Sequence, residues 1–527
     1  MNTALPPTSG GMTIGDQLAR HARSVADAVA LRMDGVDRTY RKLDERVNRL
    51  AHVLRTRGVE PGDRVMVMTF NRLEMVETFF ACARLGAVCV PVNFRLHAEE
   101  VSYQLADSGA VVAVVESALA ATFAQACKDA PALRHSLMVG PGDPHGGMEA
   151  YEDALRDASA SGIDVAVDLH APAFIMYTSG TTGRPKGAVL THYNLLIQTM
   201  SRIAHTGLPS DCRTWLISTP LFHIGGLAAL LSSVLLGAKT VIARSGRFDP
   251  AEIMDTLERE RIGYCFLVPA QWQAIVDIPD IKDRDLSALR IISWGAAPAT
   301  KTLLNRMIDT FPDAKLSSVF GQTECGAVST MLRGEDALRK IGSVGTPLLN
   351  VEVRIVDEQM NDVPRGQVGE IVYRGPSIMT GYWNKPTETA EAFAGGWFHS
   401  GDLVRQDEDG YIYVVDRLKD MIISGGENIY CAEVEEAIAA HPKVAEVAVV
   451  GVPDERWGET PLAVVVSAGA TGSPTAEEIG QWCRARLAAY KVPRLVVVVT
   501  ELPRNASGKV RKNELRERWR TQSVTLA

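Results

Sequence analysis

Aromatic residues are sparse, at 6 % of the 527-residue chain, and the eight cysteines are scattered with no CxxC pair. Zinc ribbons and disulfide frameworks both need patterned cysteines, so neither is indicated. Cys82, Cys89, Cys127, Cys212, Cys265, Cys325, Cys431 and Cys483 read instead as reduced thiols, which predicts a cytoplasmic location. Strong charge of one sign is also missing. A formal net charge of −8 argues against a nucleic-acid partner held by phosphate neutralisation. No apolar run reaches the ~20 residues of a membrane span. The longest, 224–238, is interrupted by Gly and Ser and reads as a buried helix, so stable membrane insertion is not expected. Peripheral contact with a membrane and a homodimeric state stay open. The start, MNTALPPTSGG, has neither a basic region nor an apolar run and does not read as a secretory signal. Repeats and low-complexity tracts are absent.

What is present is an ordinary folded composition, with 46 % apolar and 22 % charged residues, long enough for two or more domains. Val/Ile-rich runs at 64–69, 110–115, 214–218, 240–243 and 290–293 alternate with longer helical patterns. That rhythm predicts α/β layering on largely parallel strands. Leu43, Val47, Leu50, Ala51 and Leu54 share one helical face, and Gly58 closes the segment. From about Val351 the texture changes to short strands with Gly-containing turns (VEVRIVD, GEIVYRG, YIYVVDR), a small β subdomain. An α/β pattern then restarts, with strands at 444–450 and 462–466. A capping box of Thr475 and Glu478 precedes a helix read to carry Trp482, Leu487 and Tyr490. The domain boundary is placed at Asp416–Lys419, giving domains 1–418 and 419–527.

The most informative segment is Tyr177-Thr178-Ser179-Gly180-Thr181-Thr182-Gly183-Arg184-Pro185-Lys186-Gly187, which follows the apolar run 173–176. Glycines allow tight turning, while hydroxyls, exposed N–H groups and a lysine can coordinate polyphosphate oxygens. It is not a Walker A loop: counted from Gly180, Pro185 and Gly187 stand where Gly and Ser/Thr are required. A polar surface turn is the bland alternative. YTSGTTGRPKG resembles the signature loop of the adenylate-forming superfamily of acyl-CoA synthetases, peptide-synthetase adenylation domains and luciferases.

The resemblance runs over nearly the whole chain. Pro220-Leu221-Phe222-His223-Ile224-Gly225-Gly226 is similar to the motif whose histidine lies near the substrate carboxylate; read alone, His223 is a core imidazole. Gly295-Ala296-Ala297-Pro298 ends a strand, where ligands of parallel sheets sit, and resembles the adenine-edge segment. Phe320-Gly321-Gln322-Thr323-Glu324 resembles a motif in which an aromatic ring stacks on adenine, Thr323 touches the α-phosphate and Glu324 holds magnesium. Phe320 replaces the commoner Tyr, which keeps stacking and loses a hydroxyl; the bland reading of Glu324 is a solvated carboxylate. Trp397-Phe398-His399-Ser400-Gly401-Asp402 resembles the segment whose Asp accepts from the ribose hydroxyls. Arg417 and Lys419, in Asp416-Arg417-Leu418-Lys419-Asp420, look like the ribose or phosphate contact and the hinge pivot. Gly425-Gly426-Glu427 looks like the loop that lets a pantetheine arm pass. Pro503-Arg504-Asn505-Ala506-Ser507-Gly508-Lys509 is similar to the motif carrying the adenylation lysine, although a lysine near a terminus is by itself usually solvated.

The resemblance implies a large N-terminal domain of two layered α/β subdomains plus a small β-barrel-like subdomain, hinged to a small mobile α+β C-terminal domain. It implies an acid–thiol ligase using ATP, Mg²⁺ and coenzyme A. Catalysis would rest on Lys509, His223, Thr178 and Glu324, the last two at the metal. The nucleotide would lie among Thr178, Ser179, Gly180, Thr181, Thr182, Gly183, Lys186, Gly295, Ala296, Ala297, Phe320, Gly321, Gln322, Thr323, Asp402, Arg417 and Lys419. No acidic residue stands at His223, where amino-acid-activating relatives place an Asp, so the substrate is expected to be a small-molecule carboxylic acid of another kind. The apolar segments 224–231 and 267–271 and Trp294 suit a fatty or aryl acid. VPAQWQ and SWGAAP resemble bacterial fatty acyl-CoA synthetases, so a medium or long-chain fatty acid is the main expectation. An aryl-CoA ligase of the benzoate or cinnamate type, a ligase loading a carrier protein and a luciferase-like oxygenase are the alternatives. The chain ends soon after Lys509 with no carrier domain, which favours coenzyme A as acceptor.

Overall fold

Each Val/Ile-rich run read as a strand is one, and each is buried between helices. The computed structural model describes residues 12–178, 184–246, 248–297, 299–424, 427–454, 456–469, 472–505 and 508–520. The chain divides into two compact units, Met1–Val353 with Tyr373–Phe398, and Arg354–Val372 with His399–Ala527.

The first unit holds two sheets. One orders its strands Gly381–Tyr382, Lys186–Thr191, Pro172–Thr178, Val88–Pro91, Arg64–Met68, Val112–Glu116, His135–Val139 and Glu149–Ala150. Its central pairs are parallel, and its edge is an antiparallel hairpin in which Thr178 faces Lys186. The other runs Ser343–Pro347, Thr330–Leu332, Lys315–Phe320, Ile291–Gly295, Tyr264–Phe266, Thr214–Ile217, Lys239–Ile242, Val29–Met33 and Val36–Thr39. From Lys315–Phe320 to Val29–Met33 every pair is parallel. Strands covered on both faces must be apolar throughout, and Val65, Met66, Val67, Ile291 and Ile292 are at most 1 % exposed. The predicted helix is Tyr40–Thr56, with Leu43, Val47, Leu50, Ala51 and Leu54 fully buried; the run at 224–238 supplies the buried helix Ile224–Leu235. No helix among the described residues is long and apolar enough to cross a membrane.

In the second unit the strand Val444–Asp454 pairs antiparallel with Gly458–Ser467, which pairs parallel with Leu495–Val499. Side chains alternate across this sheet. Val449, Ala463 and Val465 join Val434, Ile438 and Ile479 on one face, while Ala448, Val450, Leu462 and Val464 join Leu502 and Leu515 on the other. The hairpin of Phe398–Gln406 and Ile412–Arg417 belongs to the β-rich segment anticipated from the change in texture. Thr475 and Glu478 form their capping box, but the helix stops at Arg484. The N–H groups of Arg486 and Leu487 both turn back to the Cys483 carbonyl, so Leu487 packs from the following turn and Tyr490 lies in a short 3₁₀ segment.

One buried base gives the fold a pH dependence. His192 is fully buried at the start of helix His192–Thr206, and neither ring nitrogen has a hydrogen-bond partner within the described structure. Burial pushes its pKa from the ordinary 6.5 down to about 4, with Asp16 opposing weakly. The folded state thus holds the imidazole neutral, while the unfolded chain protonates it below 6.5. Its contribution is intact above that pH and is lost as pH falls towards 4, a difference of about 3 kcal/mol. His192→Leu is expected to flatten the fall of Tm between pH 6.5 and 4, measured by thermal denaturation. An unchanged acid limb would contradict this.

Candidate active site

Parallel strands place their C-terminal ends on one edge, and four segments singled out in the sequence leave that edge side by side. Pro220–Gly226 follows strand Thr214–Ile217, 267–271 follows Tyr264–Phe266, Gly295–Ala297 closes Ile291–Gly295, and Phe320–Glu324 follows Lys315–Phe320. Close approach explains the glycines here. A Cβ on Gly295 would lie 2.6 Å from the Val319 carbonyl oxygen, and one on Gly321 would lie 2.3 Å from that of Ala327. Ala296 has a left-handed backbone (φ 66°), an unfavourable state for alanine that turns the segment sharply away from its strand.

The hairpin of the other sheet reaches this edge. Thr178 Oγ1 donates to Glu324 Oε1 at 3.2 Å, and the Tyr382 hydroxyl donates to the same oxygen at 3.1 Å. Glu324 is 7 % exposed, and its own carbonyl is fixed by the Met379 N–H at 2.7 Å. Lys186 starts the return strand, with Nζ 5.3 Å from the Tyr382 ring centroid. Burial and the adjoining Glu324 carboxylate raise the Tyr382 pKa, which keeps the hydroxyl protonated as a donor. Both ends of the loop are anchored: the Tyr177 hydroxyl donates to Asp107 at 2.7 Å, and that of Tyr103 donates to the Pro185 carbonyl at 3.0 Å. Ser179, Gly180, Thr181, Thr182 and Gly183, as well as Pro298, lie outside the described residues.

His223 caps helix Ile224–Leu235 and is half-buried. Its turn is clamped by the fully buried Asn71, whose Oδ1 accepts from Leu221 N at 2.8 Å and whose Nδ2 donates to Thr219 and Ala243 carbonyls at 3.3 Å each. Edge-on rings of Phe70, Phe94 and Phe222 lead to the imidazole, with centroids 4.9, 5.5 and 4.6 Å apart along the row. The apolar segments expected to line an acyl site contribute chiefly to the core: Leu227, Leu230, Leu267 and Trp294 are at most 3 % exposed. Val268, Ala270 and Gln271 keep accessible surface after the strand Tyr264–Phe266.

In the second unit Asp402 faces Arg417 across the hairpin, and Arg417 Nε lies 2.8 Å from Asp402 Oδ1. Ser400 Oγ accepts from the Asp402 N–H at 3.0 Å, so this hydroxyl supports the carboxylate's backbone. Lys419 lies in the short 3₁₀ segment Leu418–Asp420. Loss of water around its ammonium lowers its pKa, with Asp420 opposing and Arg417 and Arg516 adding to the fall. Glu427 is exposed at the start of strand Glu427–Ile429, and Gly425 and Gly426 lie outside the described residues. Lys509 is exposed on a tight turn, its N–H donating to Asn505 Oδ1 and its carbonyl accepting from Asn505 N, both at 2.9 Å.

Sequence reading passed over Tyr382. Its only local signal was a Gly-Tyr-Trp-Asn-Lys-Pro run, a turn beside aromatic residues, which gives no hint of a carboxylate 58 residues away.

The strand ends at Thr178 and Lys186, the buried Glu324 carboxylate and the strand-end segments Gly295–Ala297 and Phe320–Glu324 thus lie at one edge of the first unit. The family model described as AMP-binding enzyme matches residues 18–383, and that of the AMP-binding enzyme C-terminal domain matches 433–509. The chain belongs to the AMP-binding enzyme family. It is 43 % identical to a feruloyl-CoA synthase of Amycolatopsis sp, over 96 % of this chain and 99 % of that protein. It is 36 % identical to a long-chain-fatty-acid–CoA ligase of Mycobacterium tuberculosis, over 91 % of this chain and 93 % of that one. Among solved structures, o-succinylbenzoate CoA synthetase of Bacillus subtilis with its acyl-adenylate OSB-AMP superposes with a TM-score of 0.85. It is 31 % identical, with 95 % of this chain and 97 % of that one covered. The main expectation of a fatty acid is therefore not upheld as the preferred reading, and the aryl alternative fits these names better.

Proposed function

We propose that the protein activates an aryl-bearing carboxylic acid, of the cinnamate or ferulate kind, as its acyl-adenylate and transfers the acyl group to coenzyme A. The observation that carries the ligase reading is the Thr178–Glu324 contact, which joins a phosphate-loop hydroxyl to a carboxylate from the other sheet. The aryl reading rests on the named relatives and on the row of rings ending at His223.

ATP supplies the adenylyl group. The acid's carboxylate attacks the α-phosphorus, the bond to the β-phosphate oxygen breaks, and pyrophosphate leaves. Lys186, the loop from Thr178 and Thr323 hold the phosphates, while the Gly295–Ala297 and Phe320–Gln322 segments take the adenine. Asp402 and Arg417 take the ribose, and Lys509 offsets charge building on the α-phosphoryl oxygens. The residues present fit Mg²⁺. Among the described residues no three His, Cys, Asp or Glu are grouped for a metal, and Mg²⁺ ordinarily uses one or two carboxylates plus substrate phosphates. Glu324, beside Thr178, would be that carboxylate. Held there, the ion would supply Lewis-acid polarisation of the phosphates and countercharge for pyrophosphate. In the second step the coenzyme A sulfur attacks the acyl carbonyl, the thiol proton is lost and AMP departs. His223 holds the acid's carboxyl end in both steps. The domain pivot is assigned to Lys419, with 1–418 and 419–527 as the moving bodies and Gly425-Gly426-Glu427 beside the pantetheine path.

Pyrophosphate release with and without coenzyme A, over ferulate, cinnamate, benzoate, octanoate and palmitate, tests the reading. The expected result is a kcat/KM for ferulate or cinnamate at least tenfold above any fatty acid, about 1.4 kcal/mol of discrimination. Palmitate or octanoate on top would return the fatty reading.

A further inference from the structure

Glu324 is held by two hydroxyls, and the second belongs to no motif evident in the sequence. Tyr382 lies on the short strand Gly381–Tyr382, paired antiparallel with Lys186–Thr191 and opposite Ala188. The segment is fixed in place. Trp383 N donates to the Gly187 carbonyl at 2.7 Å, Trp383 Nε1 donates to that of Asp107 at 3.1 Å, and Lys385 Nζ lies 3.4 Å from Asp107 Oδ1. Gly381 (φ 149°) passes so near Thr389 that a Cβ would lie 2.7 Å from its Cγ2, which rules out a side chain at the entry to the strand. Lys186 is two residues along from the partner of Tyr382, the diagonal spacing at which same-face side chains of paired strands meet. The one ring therefore presents its face to the Lys186 ammonium and its hydroxyl to the Glu324 carboxylate.

We propose that Tyr382 is a positioning residue that sets the orientation of the metal-binding carboxylate. Two donors converge on Oε1, from Thr178 on one side and Tyr382 on the other. A carboxylate that accepts two hydrogen bonds on one oxygen cannot rotate freely, and Oε2 is left as the oxygen for a hard cation. Partners of this kind around a ligand ordinarily change metal affinity by roughly 10- to 100-fold. The proposal rests on the reading of Glu324 as the Mg²⁺ ligand.

Mn²⁺ binding to the full-length protein with α,β-methylene-ATP, which cannot be cleaved at the reacting bond, is read by electron paramagnetic resonance. Tyr382→Phe deletes a single oxygen. It is expected to weaken Mn²⁺ roughly 10-fold or more, while nucleotide affinity in EDTA stays within about twofold. Glu324→Gln is expected to weaken Mn²⁺ further, and the double variant to lose no more than Glu324→Gln alone, since both changes act through one carboxylate. Wild-type Mn²⁺ affinity in Tyr382→Phe, or losses that simply add in the double variant, would overturn the role of Tyr382 while leaving Glu324 as ligand. Wild-type affinity in Glu324→Gln would overturn the ligand reading itself. A general structural role would instead weaken nucleotide binding in EDTA and lower Tm in Tyr382→Phe, and that outcome also overturns the proposal.

Discussion

Lys509→Ala is expected to slow acid-dependent pyrophosphate release by about 10²- to 10³-fold, the usual loss when one donor to a charged transition state is removed. The turn that carries the lysine is built for presentation. Asn505 bonds both backbone groups of Lys509, the Arg504 guanidinium donates to the Gly508 carbonyl at 2.7 Å, and Arg504 pairs with Val510 across the turn. Gly508 has φ 83°, a conformation that a side chain at that position would resist. The backbone is therefore pinned by bonds that truncation of Lys509 to alanine leaves in place, while the charge is removed. Thioester formation from synthetic acyl-adenylate is expected to stay within about threefold, because an interaction made only in the adenylation transition state drops out of that step. Lys509→Arg is expected to recover only part of the loss, since a planar guanidinium is not a compact point charge. Equal slowing of both steps would show that Lys509 supports the fold or the nucleotide generally.

Lys419→Pro is the complementary experiment. Proline fixes φ near −65° and restricts the residue before it, so any reorientation that turns about this position is blocked. The expected result is thioester formation slowed about tenfold or more, with acyl-adenylate formation nearly unchanged, as for a hinge whose motion gates one step. The Lys419 carbonyl accepts from Arg516 at 3.2 Å, and Arg516 also pairs with Asp420 at 2.6 Å, which ties the segment after Arg417 to the helix Lys512–Arg520. Rapid-quench measurement of each half-reaction separates the outcomes; equal loss in both would remove the hinge assignment.

Most of the scaffold could be read from the chain because its signals are local. Strand Arg64–Met68 announces itself by its apolar run, helix Tyr40–Thr56 by one buried stripe, and helix Ala476–Arg484 by its Thr475–Glu478 capping box. Where that helix ends was not legible, because the return of two N–H groups to Cys483 depends on how Leu487 packs. The same limit applies to the site. Thr178 and Lys186 stood out by residue type and Glu324 only by its resemblance to a family motif, and Thr178 and Glu324 do meet. Tyr382 could not be found, since a phenol beside a turn acquires its meaning only when strand pairing delivers it to Glu324. For the expected acyl wall, apolar periodicity reports burial and does not by itself distinguish a pocket lining from a core. Leu227, Leu230 and Leu267 are core.

The central claim is that the acid's own oxygen attacks the α-phosphorus of ATP. Ferulate labelled with ¹⁸O in both carboxylate oxygens, turned over with ATP and coenzyme A, puts this to mass spectrometry directly. The account predicts one ¹⁸O in the AMP released and none in pyrophosphate. Label in inorganic phosphate, with ADP as the nucleotide product, would contradict it, as would thioester formed with unlabelled AMP.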